Sequence, residues 1–280
     1  MMRAANKISA FLFVCFLFSY AGMISAKEIH VDTIKVNKTR MINIVSVMTV
    51  PKLILQLSAS YNSGAMELTS HNGGFSSFDL TSGKNFGARN GFGINLTGKI
   101  PLNKKGQFWL DVVAGFARFQ SDLFAQNSQE GKVSYNSFNG GAGVEYNFTS
   151  YHHVKYYFGL NPLVSVISGK ATLINPNDNT QTIVTIKSNV RVGYSVYMGL
   201  EYAFTKNIGM NTGLKFTHAN LLMKKTTDPG ANYTQVELND GATSAFNPIP
   251  FGGWKQFAYI SAYAGISYFF GVKVNRYKLP

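Results

Sequence analysis

The chain has 280 residues, a formal net charge of +13 and a single cysteine, Cys15. One cysteine excludes disulfides within the chain and any metal site built from several thiolates. The chain contains 27 glycines, 22 phenylalanines and 15 tyrosines but only 14% charged residues, a composition typical of one large domain of β-strands with aromatic faces.

The chain begins with the pattern of a secretory signal peptide. A positive segment with Arg3 and Lys7 precedes the apolar run at 8–18, and small residues follow before the next charge. This order predicts a signal peptide over residues 1–26, removed on export. A retained membrane anchor is the alternative. Export also argues against nucleic acid as a partner, despite the basic charge.

Residues 27–51 follow the predicted cleavage point. The stretch at 41–50, "MINIVSVMTV", is largely apolar and stands directly before Pro51. It predicts either a short strand of its own or an extension of the strand that begins at 52.

From residue 52 onward, apolar residues alternate with glycine or polar residues. In "SNVRVGYSVYMGLEYAF" (188–204), every second residue from Val190 to Phe204 is apolar, and the other face carries glycines, small polar residues and two charges. The alternation is longer than an ordinary globular strand requires. Similar stretches predict strands at 52–62, 86–100, 108–119, 137–148, 154–166, 188–204, 208–218 and 257–270.

The connections between these strands alternate in length. Short connections are predicted at 101–107, 149–153 and 205–207, and long ones at 63–85, 120–136, 167–189 and 219–256. Strands exposed to lipid must pair all their backbone groups, so the sheet has to close. Short turns at one end and long loops at the other are typical of bacterial outer-membrane barrels.

The predicted fold class is therefore all-β, a closed antiparallel up-and-down transmembrane β-barrel of eight strands over residues 52–270. A barrel of ten strands that recruits the segment before Pro51 is the alternative. Residues 27–51 are then an N-terminal periplasmic segment, and 271–280 are a basic periplasmic tail. The long loops are expected to lie outside the cell, and some to project as hairpins.

A pattern of glycine, aliphatic, any, tyrosine, any and phenylalanine occurs three times, beginning at Gly143, Gly199 and Gly265. Each copy stands where a predicted strand approaches the short-connection end. The tyrosine and phenylalanine point outward together, where aromatic rings anchor a barrel at the lipid–water interface. The glycine faces the narrow interior. The predicted girdle consists of Tyr146, Phe148, Tyr202, Phe204, Tyr268 and Phe270.

With these features the chain resembles the small eight-stranded outer-membrane β-barrels, the OmpA/OmpX-like superfamily. The stretch "ISYFF" at 266–270 looks like the terminal signal of that family, a final aromatic residue in alternation with apolar residues before it. The resemblance implies an outer-membrane location and recognition by the barrel-assembly machinery. The chain departs from the family pattern because ten residues follow Phe270.

The alternation also predicts charged residues inside the barrel. An eight-stranded barrel is just wide enough for its side chains, so interior charges must pair or contact water. They either form a salt-bridged plug or line a narrow passage with weak anion preference. Lys99 shares this inward face with the predicted lumenal charge network, which consists of Arg89, Asp111, Glu145, Lys155, Arg191, Glu201 and Lys215.

Most of the remaining positive charge falls in the short connections and the two ends of the mature chain. There it would face anionic phospholipids, so outer-membrane lipids are expected partners.

The sequence predicts no catalytic residues, no metal site and no cofactor. Some eight-stranded barrels modify lipid A, and lipid A deacylases resemble the region of His218, with an outward histidine and a serine two residues later. Here Asn220 occupies that position and Thr217 points to the other face, although a nucleophile must lie within reach of its base. The neighbouring His152 and His153 are expected to be solvated turn residues.

The function predicted from the sequence is non-enzymatic. It is a structural or surface-interaction role in which the long loops contact an extracellular ligand of unknown identity. The alternative is a small porin-like passive channel with weak anion preference. A lipid A-modifying enzyme is a remote alternative.

Overall fold

The structure is a computed structural model of the chain, and it describes residues 31–35, 41–69, 86–123, 130–149, 154–175, 178–222, 235–236 and 256–278. The predicted signal peptide lies outside the described residues. The chain forms two units, residues 49–273 and residues 1–48 with 274–280. In the described part, no helix is both long enough and apolar enough to cross a membrane.

The strands share one numbering in chain order. They are β1 (Val31–Lys35), β2 (Met41–Met48), β3 (Leu53–Ala65), β4 (Asn90–Pro101), β5 (Phe108–Leu123), β6 (Glu130–Asn147), β7 (Val154–Ile174), β8 (Gln181–Ala203), β9 (Ile208–Leu222), β10 (Gln235–Val236), β11 (Ala258–Phe270) and β12 (Val274–Lys278). A single 3-10 turn at Met66–Leu68 follows β3.

The larger unit is a closed barrel of eight antiparallel strands. Strands β3 to β9 pair in chain order, β11 pairs with β9 on one side, and β11 pairs with β3 on the other. The closing pair runs in register from Phe270 opposite Leu53 to Ala258 opposite Ala65. The two-residue strand β10 adds to β8 in parallel. The predicted eight-stranded barrel is confirmed.

The outward face of the barrel is apolar because the side-chain period of a strand is two. On β4, 72% of Phe92, 58% of Ile94 and 53% of Leu96 are exposed, whereas Gly93 and Asn95 between them are buried. A β-protein that folds in water buries such a face, and an exposed apolar band of this kind is what lipid contact requires. The exposed face is therefore the predicted lipid face.

The smaller unit contains a three-stranded antiparallel sheet in the order β1-β2-β12. Val45 in the central strand lies opposite Val31 on one side and Tyr277 on the other. The ten-stranded alternative is wrong, since β1 and β2 pair in this sheet and not in the barrel. Residues 41–48 form a strand of their own, and residues 274–278 of the predicted tail form its edge partner.

Two barrel strands extend far beyond their predicted ends. Strand β7 has 21 residues and β8 has 23, and they form the predicted hairpin. At its turn, Thr180 donates from Oγ1 at 2.7 Å and from its backbone N–H at 3.0 Å to Asp178 Oδ1. These bonds from Thr180 hold the pKa of the Asp178 carboxyl below its usual value.

The alternation of connection lengths predicts the orientation of the barrel, and protease treatment of intact cells tests it. We expect trypsin to cut in the long connections near Lys84 and Lys224–Lys225, which lie outside the described residues, because long loops face the outside of the cell. The exposed pair Lys104–Lys105 in a short connection should be spared. Cleavage at Lys104–Lys105 alone would reverse the orientation; lysed cells, in which both ends are open to protease, are the control.

Candidate functional site

The interior of the barrel has three layers. We call the end with the short connections the turn end and the opposite end the loop end. A polar layer with the buried charges lies in the middle, a cluster of aromatic and aliphatic residues closes the loop end, and a smaller apolar cluster closes the turn end. The inward parity of the strands brings these residues together from distant parts of the chain.

The first buried ion pair joins Lys99 and Glu145. The ammonium and the carboxylate are 2.6 Å apart, and each side chain is 2% exposed. Tyr197 Oη donates to the same carboxylate at 3.2 Å, and the Lys99 ammonium lies 4.3 Å from the centre of the Tyr157 ring. A buried pair with further hydrogen bonds of this kind satisfies both charges, whereas removing one partner leaves an uncompensated charge.

A second ion pair lies nearer the turn end. Lys155 Nζ is 3.1 Å from Glu201 Oε1, and Gln56 Nε2 donates to Glu201 Oε2 at 2.6 Å. Gln56 also donates to Ser267 Oγ at 3.2 Å, and Asn211 donates to the same hydroxyl at 3.0 Å. Five strands contribute to this group, β3, β7, β8, β9 and β11, so it links most of the barrel wall from inside.

Each of the other interior charges has at least one neutral hydrogen-bond partner. Asn161 Nδ2 donates to Asp111 Oδ2 at 2.6 Å. Arg191 is buried, and its guanidinium donates to a backbone carbonyl at 3.0 Å. Lys215 Nζ donates to Asn95 Oδ1. The structure thus places Asp111, Arg191 and Lys215 inside the barrel with the two ion pairs.

Arg89 does not belong to this interior group, and its predicted lumenal position is wrong. Its side chain is exposed, whereas Phe86 and Ala88, which the alternation of the predicted strand 86–100 places on the outward face, are buried. Strand β4 begins only at Asn90, and Gly87 before it has a φ of +68°. The positive φ breaks the extended backbone, so the alternation of β4 does not continue back to Arg89.

The loop-end cluster combines five aromatic residues with a larger number of aliphatic ones. The rings of Phe119 and Tyr259 are 5.1 Å apart, those of Phe86 and Tyr135 are 6.1 Å apart, and Phe257 contacts both groups. Tyr135 Oη donates to the Phe86 carbonyl at 2.8 Å, which ties the chain after the first long connection into the barrel. Aromatic side chains on inward positions therefore help to fill this end.

The turn-end cluster closes the opposite end. It contains Ile54, Trp109, Ala203 and Phe269. Trp109 Nε1 donates to the Gly106 carbonyl at 2.8 Å, so the indole is both packed and hydrogen-bonded. The Lys155 ammonium lies 5.0 Å from the centre of the Phe269 ring, and this contact joins the cluster to the polar layer above it.

The three copies of the repeated motif place three ring pairs on the outside of the turn end. The rings of Tyr146 and Phe148 are 5.1 Å apart, those of Tyr202 and Phe204 are 5.2 Å apart, and those of Tyr268 and Phe270 are 4.6 Å apart. All six rings keep exposed or partly exposed surface.

The glycine of the motif is needed where an interior side chain passes over it. A Cβ on Gly199 would lie 2.6 Å from Tyr157 Oη. This is closer than real Cβ contacts allow, so a side chain at Gly199 would displace the Tyr157 ring.

The region of His218 has no arrangement for nucleophilic catalysis among the described residues. His218 lies opposite Tyr194 in the β8–β9 ladder, but only 4% of its surface is exposed. Asn220 Oδ1 accepts a hydrogen bond from the Phe257 N–H at 2.6 Å, so its amide supports the backbone. Thr217 is buried on the inward side.

The pair His152–His153 lies outside the described residues. Within the described ranges, no group of three or more His, Cys, Asp and Glu side chains could hold a metal ion.

Sequence comparison places the barrel among bacterial outer-membrane proteins. Residues 111–236 match the family model of the opacity family porin proteins. The chain is an outer-membrane β-barrel protein. Its resemblance to the small eight-stranded barrels of Gram-negative bacteria is confirmed. A search of curated proteins finds no significant match to the sequence.

Several solved structures are similar to this outer-membrane barrel. Neisserial surface protein A has 14% identity over 78% of this chain and 97% of that chain, with a TM-score of 0.41. OprG from Pseudomonas aeruginosa has 10% identity over 82% and 98%, with a TM-score of 0.42. Ail, the attachment invasion locus protein of Yersinia pestis, has 11% identity over 81% and 99%, with a TM-score of 0.35.

Sequence analysis missed several members of the interior network. Tyr157 and Tyr197 bring phenol groups to the ion pairs, and Gln56 and Asn161 hold two of the carboxylates. The signal that could have found them is polarity on inward positions, because a buried polar side chain needs a partner. The inward Phe119 could have indicated the loop-end cluster in the same way.

The last ring pair allows a test of the assembly signal. We expect Phe270→Ala to reduce the amount of protein in the outer membrane more than Phe204→Ala does, because only Phe270 ends the final barrel strand. Both rings are exposed, both are two residues from a tyrosine, and both variants lose one interface ring. Quantitative blots of outer-membrane fractions measure the difference, and refolding in detergent should be equal for the two. Equal insertion in cells would limit Phe270 to the girdle.

Proposed function

We propose that this outer-membrane barrel is a surface-interaction protein with a closed interior and that its loop end is the contact surface. The observation that carries the proposal is the filled interior. A conducting channel needs a continuous water path, and here aromatic residues, buried ion pairs and a second apolar cluster follow one another along the axis. This arrangement favours the salt-bridged plug over the passage with weak anion preference.

Conductance in planar bilayers tests the closed interior. We expect the refolded full-length mature chain to give no stable single-channel steps, because the loop-end and turn-end clusters interrupt the polar path through the described part of the barrel. Circular dichroism of the same preparation in vesicles verifies that the strands have formed. Reproducible steps of one size, especially with preference for anions, would overturn the proposal and establish the porin-like alternative.

The loop end offers an exposed surface on rigid strands. Beyond the bulge near Gly169, the β7–β8 hairpin carries the exposed side chains Lys170, Ile183 and Lys187. Binding residues on a rigid scaffold lose less conformational entropy when a partner binds than residues on a free loop do. This supports the hairpin as part of the contact surface for an extracellular ligand.

Cells that display the chain can be compared on an array of immobilised proteins and glycans. We expect a variant in which residues 170–187 are replaced by a two-residue Asn-Gly turn to lose a binding signal that the wild type shows. A variant with Lys104 and Lys105 changed to glutamine, at the turn end, is the matched control and should keep it. Loss of the signal in the control, or its survival without the hairpin, would contradict the proposed surface.

The turn end supports a partner of a different kind. Its described residues carry exposed lysines and no carboxylate, and the aromatic girdle lies beside them. We infer that these lysines contact the phosphate groups of anionic phospholipids, since each basic residue near such a surface contributes about 1 kcal/mol to membrane binding. The lysines are Lys52, Lys104, Lys105, Lys206 and Lys273.

We infer that the protein has no enzymatic role. The support comes from the two residues beside His218 that could be considered as partners. Asn220 accepts a hydrogen bond from the backbone N–H of Phe257, and Thr217 faces the interior, on the other side of the strand from His218.

A further inference from the structure

The polar layer of the barrel contains a cavity that the surface role does not use. It has about 40 Å³ of space for the centre of a water-sized sphere. A single water needs roughly 10–15 Å³ by this measure, so the cavity has room for a small bound species. Side chains from both ion-pair groups and from β9 and β11 line it.

Among the described residues, the charged side chains in the cavity wall are all positive. Lys99 and Lys215 line it, and no carboxylate of the described residues does. Lys99 is neutralised by Glu145 at 2.6 Å. For Lys215, no carboxylate within the described ranges lies within 4 Å, and its ammonium contacts Asn95 Oδ1.

Lys215 is half-buried, and a lysine ammonium that is withdrawn from bulk water is stabilised by a compensating charge. Removing a charge from water is unfavourable unless an opposite charge and hydrogen bonds accompany it. An ammonium has three N–H donors, and the Asn95 oxygen accepts only one of them. The remaining donors of Lys215 are beside the cavity that it lines.

Two hydroxyl groups in the same wall are suitable donors. Tyr259 Oη accepts a hydrogen bond from Asn139 Nδ2 at 2.9 Å, so its own proton remains to be donated. Thr217, which is 1% exposed, lines the cavity next to Tyr259 in the β9–β11 ladder. An anion accepts hydrogen bonds from ammonium and hydroxyl groups alike.

We propose that this cavity binds one small monovalent anion of the halide class, held by Lys215 with hydroxyl donors from Thr217 and Tyr259. One such ion pairs with the Lys215 ammonium and fits a space of a few water volumes. A sulfate or phosphate has four oxygens to accommodate and carries a charge that the single lysine does not match.

Bromide provides a direct test on the wild-type chain. Crystals of the refolded full-length mature protein are grown in sodium bromide and in sodium gluconate, and anomalous diffraction locates the bromide. We expect an anomalous peak in the cavity within hydrogen-bond reach of Lys215 Nζ. A cavity that holds only water, with no peak while surface sites are occupied, would overturn the proposal.

A solution test uses thermal unfolding in detergent, followed by circular dichroism. We expect the unfolding temperature of the wild type to rise and saturate as chloride replaces gluconate at constant ionic strength, because an ion that binds only the folded state stabilises it. Lys215→Met should abolish the dependence. Lys132→Met, which removes an exposed lysine 4.0 Å from Asp122, is the matched control and should keep it.

The outcomes separate clearly. The same chloride dependence in the wild type and in Lys215→Met, or none in the wild type, would disprove the site. If Lys215→Met does not refold, the site is tested by two other measurements. Thr217→Val should weaken the chloride dependence of the unfolding temperature, and the bromide experiment uses the wild-type chain. None of these results depends on whether the loop end binds a partner.

Discussion

Replacing Val196 with arginine should lower the free energy of unfolding by about 2–4 kcal/mol, because the change places a charge near the middle of the bilayer on the lipid face of the barrel. Val196 lies opposite Leu160 on one side and Phe216 on the other, on the apolar band of β8. Reversible urea unfolding of the refolded chain in phospholipid vesicles measures the loss. A loss below about 0.5 kcal/mol would contradict the lipid-facing position, since substitutions on a solvated surface usually change the free energy of unfolding by less than this amount.

The neighbouring residue is the matched control. Ser195 is 1% exposed and faces the interior opposite Asn161, which donates to Asp111. The cost of Ser195→Arg should therefore be steric and should change when Asp111 is replaced with asparagine. The cost of Val196→Arg should not change with Asp111→Asn. A coupling of the same size at both positions would mean that the alternation of β8 does not separate lipid from interior.

Replacing Lys99 with methionine should destabilise the barrel by about 3–5 kcal/mol, because it leaves the Glu145 carboxylate buried without its counter-charge. The pair is fully inside the barrel, and the second donor to Glu145, Tyr197, is neutral. The same unfolding measurement applies.

The double variant Lys99→Met, Glu145→Gln tests the reason for this loss. It removes both charges, and we expect it to be more stable than Lys99→Met alone. The exposed pair Lys132 and Asp122, at 4.0 Å, is the control, and Lys132→Met should cost no more than about 1 kcal/mol. Additive losses in the double variant would show that Lys99 and Glu145 do not act as a pair.

The barrel itself follows from local properties of the sequence. Strict alternation from Val190 to Phe204 distinguishes the lipid face from the interior without any knowledge of partners, because the side-chain period of a strand is fixed. In the predicted last strand, alternation back from the outward Phe270 places every second residue as far as Ile260 on the outward face, and these residues are exposed on β11. Short connections that join antiparallel strands leave little choice of topology.

Local pattern is insufficient where the backbone departs from an extended strand. A positive φ at Gly87 cancels the alternation that placed Arg89 inside, and a register shift near Gly169 changes which residues of β8 face inward. The sequence shows glycine at both positions, but glycine also occurs throughout the regular strands. Only the pairing with the neighbouring strand shows which glycine interrupts the alternation of side chains.

The sequence predicts which charged residues face the interior, but it does not predict which of them form pairs. Alternation indicates that Lys99, Asp111, Glu145 and Glu201 face inward, yet the partner of each depends on the stagger between strands. That stagger is set by the closure of the whole barrel. The pairing of residues 41–48 with 274–278 depends in the same way on contacts between distant parts of the chain.

The position of the closing strands determines when this protein can finish folding. The first barrel strand, β3, and the central strand of the small sheet, β2, both take their last partner from the C-terminal end of the chain. A chain that crosses the inner membrane with its N-terminus first therefore waits for its final residues before either sheet is complete, and the entropy of closing such long loops slows the step. Until then the edges of β2 and β3 are open to other strands. The cell must shield almost the entire polypeptide during its passage through the periplasm, and a chain that ends before Ala258 would never lose that need.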